Sequence, residues 1–103
     1  MQNKYPIVEA SDGVTRQVLS ENKELMVVSF CFEKGGEGAL HNHRHTQSTF
    51  VRSGRFKFTV GSNEFEVSGG DSFVIPSGET HGCVCLEEGE LIDGFTPRRD
   101  DFL

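Results

Sequence analysis

Residues 55–60 restrict the fold of this chain more than any other stretch, because apolar and polar side chains alternate there without a break. Phe56, Phe58 and Val60 share one parity, and Arg55, Lys57 and Thr59 share the other. Successive side chains of a strand project to opposite faces, so this stretch is a half-buried antiparallel strand. Gly61-Ser62-Asn63 supplies a hairpin turn, and Phe65 with Val67 carries the apolar face onto the returning strand. Period two recurs along the chain, and no helix-period pattern accompanies it. Further strands are expected over 14–19, 25–33, 47–51, 72–75, 80–86 and 90–96. The 25–33 stretch is apolar on both parities in its middle, so it is expected to be covered on both faces. Turn-rich breaks are expected over 33–38, at Ser53-Gly54, Ser68-Gly69-Gly70-Asp71, Pro76-Ser77-Gly78 and Glu87-Glu88-Gly89. Short strands at this spacing, with turn signals between them, indicate an all-β sandwich or barrel.

A chain of 103 residues forms one domain, here taken as 1–103. The net charge of -6 argues against a nucleic-acid phosphate partner. It does not exclude an anionic small molecule, because a metal and one or two arginines reverse the potential locally. No apolar run reaches the length of a membrane span and residues 1–10 show no leader pattern, so a cytoplasmic protein with no membrane partner is expected. Cys31, Cys83 and Cys85 are odd in number, and the last two are too close along one strand to bridge comfortably. Reduced thiols follow. Residues 5–19 have no evident hairpin partner in the chain, and are expected to pair with the sheet edge of a second copy in a homodimer.

His41-Asn42-His43-Arg44-His45-Thr46-Gln47 concentrates three of the four histidines in seven residues. If this segment is extended, His41, His43, His45 and Gln47 share a face. Neutral imidazole is the commonest ligand for a divalent transition metal, and an amide oxygen can complete such a site. A polar, histidine-rich surface strand is the plainer alternative. His81 lies forty residues beyond His41 and can join them only through the fold.

Two glycine-bounded motifs carry a resemblance. Gly35, five residues, His41-x-His43, three residues, Gln47, six residues and Gly54 form the first. Gly70, five residues, Pro76-x-Gly78, two residues and His81 form the second. Together they resemble the two motifs of the cupin superfamily over roughly residues 25–96, with Gln47 where Glu is usual. The resemblance implies a cupin double-stranded β-helix, a jelly-roll barrel. It also implies one divalent transition metal held by His41, His43, Gln47 and His81. Such a neutral ligand set leaves the ion its full charge and admits nickel, iron, zinc, manganese, cobalt or copper. His45 falls outside the motif and is expected behind the ligands or at the rim. Cys83 and Cys85 share parity with His81; they either line the same cavity or fill the barrel core.

Asp93 stands between Leu91 and Phe95 on one parity. It faces the interior unless a bulge turns it out, and a lone interior carboxylate is costly unless paired or functional. With the tail DGFTPRRDDFL, the opening Asp12-Gly13-Val14-Thr15-Arg16 and the hairpin FKFTVGSNE, nearly the whole chain resembles the KdgF-type cupins of pectin and alginate breakdown. That resemblance implies an active site with Asp93, Phe95 and Arg99, and an activity that linearises 4,5-unsaturated uronate monosaccharides to 5-keto-4-deoxyuronates. Asp93 would move protons, Arg99 would hold the anionic sugar and Phe95 would shape the pocket. A metal-dependent dioxygenase and a non-enzymatic sugar- or ligand-binding cupin are the alternatives on the same fold.

Overall fold

The computed structural model describes residues 5–103; the first four, part of the 1–10 stretch searched for a leader, lie outside the described residues. Eight strands follow: β1 (Val8–Ser11), β2 (Val14–Asn22), β3 (Leu25–Phe32), β4 (Glu37–His41), β5 (Thr46–Val60), β6 (Asn63–Ser68), β7 (Ser72–Ile75) and β8 (His81–Thr96). A 3-10 turn, Asp100–Phe102, ends the chain. Every pairing is antiparallel. No helix is long and apolar enough to cross a membrane among the described residues.

β5 and β8 organise the rest. They are paired from Thr46↔Thr96 to Val60↔His81, with register shifts around Ser53 and Arg55. Before those shifts β5 also pairs β7, and after them it pairs β6. Likewise β8 pairs β4 through its first residues and β3 through its last. The result is the jelly-roll barrel that the motifs imply, with one pair of long strands belonging to both of its walls. Phe56, Val51, Phe32, Leu91 and Cys85 are buried together where those walls meet, and Met26, Val28, Val18 and Phe95 form a second cluster beside them. Each such side chain contributes about 1.5–3 kcal/mol by leaving water.

Four readings of the sequence need correction. Ser53-Gly54 and Glu87-Glu88-Gly89 do not end strands; both long strands run on through them. The glycines there permit a corner instead of a turn. A Cβ on Gly54, which has φ 84, would lie 2.6 Å from the carbonyl oxygens of Glu87 and Glu88. A Cβ on Gly89 would lie 2.1 Å from the Ser53 carbonyl oxygen. Residues 5–19 do have partners in the chain: β1 turns at Asp12-Gly13 onto β2, and β2 pairs β3 along its length. Asp-Gly is itself a hairpin signal, and Gly13 takes the positive φ (74) that it exists to supply. The break expected over 33–38 already contains the start of β4. Finally, β3 is covered mainly on one face, by burial of Met26, Val28 and Phe32; on the other, Ser29 is buried and Cys31 exposed.

Two measurements check this description. Gly89→Ala should cost on the order of 3 kcal/mol and lower the melting temperature by more than ~10 °C, because backbone must move to admit the methyl group. Gly94→Ala, in the same strand but with nothing within 4 Å of the added carbon, should shift it by only about 3 °C. Thiol labelling offers the second check. Burial pushes the Cys83 thiol up to about 12 and also raises that of buried Cys85, while Cys31 is exposed. Native protein at pH 8 should therefore lose one thiol rapidly to an alkylating reagent, and three in denaturant.

Candidate metal centre and cavity

The histidine-rich segment is not a continuous strand. β4 ends at His41, residues 42–45 bend, and β5 begins at Thr46. The bend, and not strand alternation, gathers the side chains. His41 lies opposite His81, the first residue of β8, with ring centroids 4.4 Å apart. His43 reaches the same place from the bend, its ring 4.8 Å from His81. One ring nitrogen from each of His41, His43 and His81 lies within 4.8 Å of the others, close enough to hold one metal ion.

Hydrogen bonds set the tautomers of these rings. Nδ1 of His41 donates to the Ala39 carbonyl (2.7 Å), that of His81 to Glu79 (2.9 Å) and that of His43 to His45 (3.0 Å). A carbonyl only accepts, so each Nδ1 carries the hydrogen and each Nε2 keeps its lone pair. His81 Nε2 is buried without a hydrogen-bond partner. Burial, beyond all other influences, holds the imidazole of His81 down at about 4, and that of His43 is lowered for the same reason and by the charge of Arg99. Both rings are therefore neutral, as a ligand must be.

Gln47 adds a fourth candidate ligand atom, an oxygen, to the three ring nitrogens. Its Nε2 donates to Thr49 Oγ1 (3.0 Å), which leaves Oε1 turned to His43 Nε2 at 3.1 Å. With His43 in the tautomer above, two acceptors face one another. A cation satisfies both lone pairs together with the orphaned one on His81, so the donor set fits a divalent transition metal.

His41, Gln47 and His81 open onto a cavity of about 380 Å³, within the ordinary range for a small-ligand site. Asp93, Phe95 and Arg99 line it too. Asp93 faces inward, as the parity of β8 implies: it pairs with Val28 on one side and Thr49 on the other, and is 5% exposed. Burial pushes its carboxyl up to about 7, against the hydrogen bonding of Thr49 and Gln47 and the charge of Arg99. Its Oδ1 has no partner.

Arg99 arrives by way of the tail. The chain passes from β8 through a cis Thr96–Pro97 peptide, and Arg98 then bonds Glu21 on β2 (2.9 Å). Tyr5 donates to the same carboxylate, so the tail is tied to the barrel wall. Arg99 consequently turns inward, 5.1 Å from the Phe95 ring centroid and 4.2 Å from that of Phe102. Its Nε and one NH2 nitrogen donate to the two carboxylate oxygens of Asp101 (3.0 and 2.8 Å).

The cluster expected from the motifs and tail is therefore brought together, with His45 set apart from it. The His45 ring is buried beside His43 and Phe95, and its Nδ1 has no partner. Cys83 lines the cavity, whereas Cys85 fills the core. Three further residues went unread in the sequence: Thr49, fully buried under Gln47 and Asp93; Phe102, which carries the Arg99 guanidinium; and Arg16, which lines the cavity from β2. The signal for Thr49 was its place two residues after Gln47, on the same face.

Comparison with known proteins agrees with this architecture. The Cupin_2 family model, a cupin domain, matches residues 28–92. The pectin degradation protein KdgF of Dickeya dadantii (strain 3937) is 36% identical over 105 residues, across 100% of this chain and 96% of that protein. A solved RmlC-like cupin from Shewanella frigidimarina NCIMB 400 superposes with a TM-score of 0.92 at 42% identity, covering 97% of this chain and 90% of the other. KdgF from Halomonas sp. superposes with a TM-score of 0.91 at 35% identity, covering 95% and 91%. By the family model and by this full-length likeness, the chain belongs to the cupin family and is a KdgF-like member of it.

Proposed function

We propose that this chain linearises 4,5-unsaturated uronate monosaccharides to 5-keto-4-deoxyuronates, with His41, His43, Gln47 and His81 as the ligands of one divalent metal. The observation that carries the reading is a buried, unpartnered carboxylate oxygen on Asp93. It lies in the same cavity as two of the three clustered histidines and Arg99, in a chain similar over its full length to a pectin degradation protein.

The substrate is a cyclic hemiacetal whose ring oxygen is also part of an enol ether. Ring opening removes the proton of the anomeric hydroxyl, breaks the bond from C1 to the ring oxygen and leaves an enolate at C5. Protonation at C4 then gives the ketone, so one proton leaves and one returns. A bound metal supplies charge stabilisation to the oxygens of the substrate. In this reading Asp93 takes the hydroxyl proton and delivers one to C4. Thr49 and Gln47 hold that carboxyl in place. Phe95, buried between the histidines and the arginine, shapes the floor and keeps water off the reacting face. Arg99 supplies positive charge for the anionic sugar.

Protein purified without chelator should hold about one equivalent of divalent metal per chain by elemental analysis, and His43→Ala with His81→Ala should reduce this below about a tenth. Wild-type protein that takes up neither nickel, zinc, iron nor manganese overturns the metal assignment. For the reaction, loss of the ultraviolet absorbance of the conjugated double bond of 4,5-unsaturated galacturonate should outpace the spontaneous process. Asp93→Asn should lower kcat by roughly 10²–10⁴ with metal content unchanged. Arg99→Ala should act mainly on KM. Equal decay with protein and with buffer, for both the pectin- and the alginate-derived sugar, overturns the assignment of activity.

A further inference from the structure

Among the described residues, four cationic side chains enter no ion pair: Arg16, Lys23, Lys34 and Arg44. The last three are exposed, where water solvates them. Arg16 is half-buried and lines the cavity. It stands on β2 between Val14 and Val18, both 4% exposed, so its stem points inward with theirs. Withdrawing a guanidinium from water without an acceptor is costly. Partial compensation comes from Phe102, whose ring centroid lies 4.5 Å from the Arg16 guanidinium carbon. That contact holds the guanidinium against the ring and leaves its N–H groups without an acceptor among the described residues.

The contrast with Arg99 is informative. Both guanidiniums rest on the Phe102 ring, yet Arg99 already gives two of its donors to Asp101. Arg16 keeps its whole fork and its whole charge. The acidic groups that share the cavity, Glu37 and Asp93, and Asp101 nearby, do not reach it at ion-pair distance. A planar, preorganised fork of this kind matches a carboxylate in two parallel hydrogen bonds.

We propose that Arg16, held on Phe102 in the cavity wall, binds the carboxylate of the sugar and sets the preference of the site for uronates over neutral sugars. The inference rests on reading the cavity as a uronate site, and it deepens that reading by naming the anchor. Arg99 then serves as a supporting charge, with its orientation held by Asp101.

The test is titration calorimetry on the full chain as purified. D-galacturonate, which has no 4,5 double bond to react, is compared with neutral D-galactose. Wild type should prefer galacturonate. Arg16→Met, which keeps the stem and apolar contact with Phe102, should weaken galacturonate about 10- to 100-fold and leave galactose unchanged. Arg16→Lys should fall between, since it restores charge without the fork. Arg55→Met, which removes an equal charge from a surface pair with Glu66 and Glu87, should match wild type. With the unsaturated substrate, Arg16→Met should raise KM and leave kcat nearly unchanged. Folded Arg16→Met that binds galacturonate within about twofold of wild type overturns the proposal, as does wild type that binds neither sugar or binds both alike. A wild type that discriminates through Arg16 but does not open unsaturated uronates supports the anchor and refutes the reaction. Turnover with a KM indifferent to Arg16 supports the reaction and refutes the anchor.

Discussion

The close approach of two backbones at Gly54 and Gly89 is the constraint on which the rest of this molecule depends. Without side chains at that crossing, β5 and β8 remain paired while both change direction. One strand can thereby serve both walls of the barrel. His81 begins β8 against β4, and Asp93 and Phe95 lie near its end between β3 and β5. The corner brings these distant parts of one strand to a common cavity.

The site has an unusual electrostatic composition for an acidic chain of net charge -6. Its interior holds neutral imidazoles, one carboxyl with a raised proton affinity and two guanidiniums, while most carboxylates lie outside. Low polarity in the cavity strengthens every one of these interactions. The chain as a whole is acidic, yet two arginines bring positive charge into the cavity wall.

Much of this was legible in the residues, and what escaped did so for physical reasons. Alternation revealed the hairpin of β5 and β6, because one of its faces is wet. Motif spacing found the three histidines. Strand alternation would have turned His41 and His43 to one face had the segment been extended; a bend brings them together instead, and sequence does not distinguish the two. Glycine was misread at residues 54 and 89, since a residue that permits a turn equally permits two chains to touch. Only the partner backbone decides between these roles. Parity placed Asp93 correctly. Applied to Val14, Arg16 and Val18, the same argument would have found the second arginine; a long stem can carry a charge back to solvent, so an inward arginine is a weaker signal than an inward aspartate.

The hydrogen bonds that orient the histidines all end on main-chain carbonyls two residues away, at Ala39, His45 and Glu79. Every amino acid carries that acceptor, so no point substitution deletes it. The triad thus owes its tautomers to backbone path, whereas the arginines and Phe102 owe their arrangement to side chains that mutation can exchange freely. Such a molecule is divided in its evolvability: one end of the cavity is insulated from sequence drift, and the other is open to new ligands.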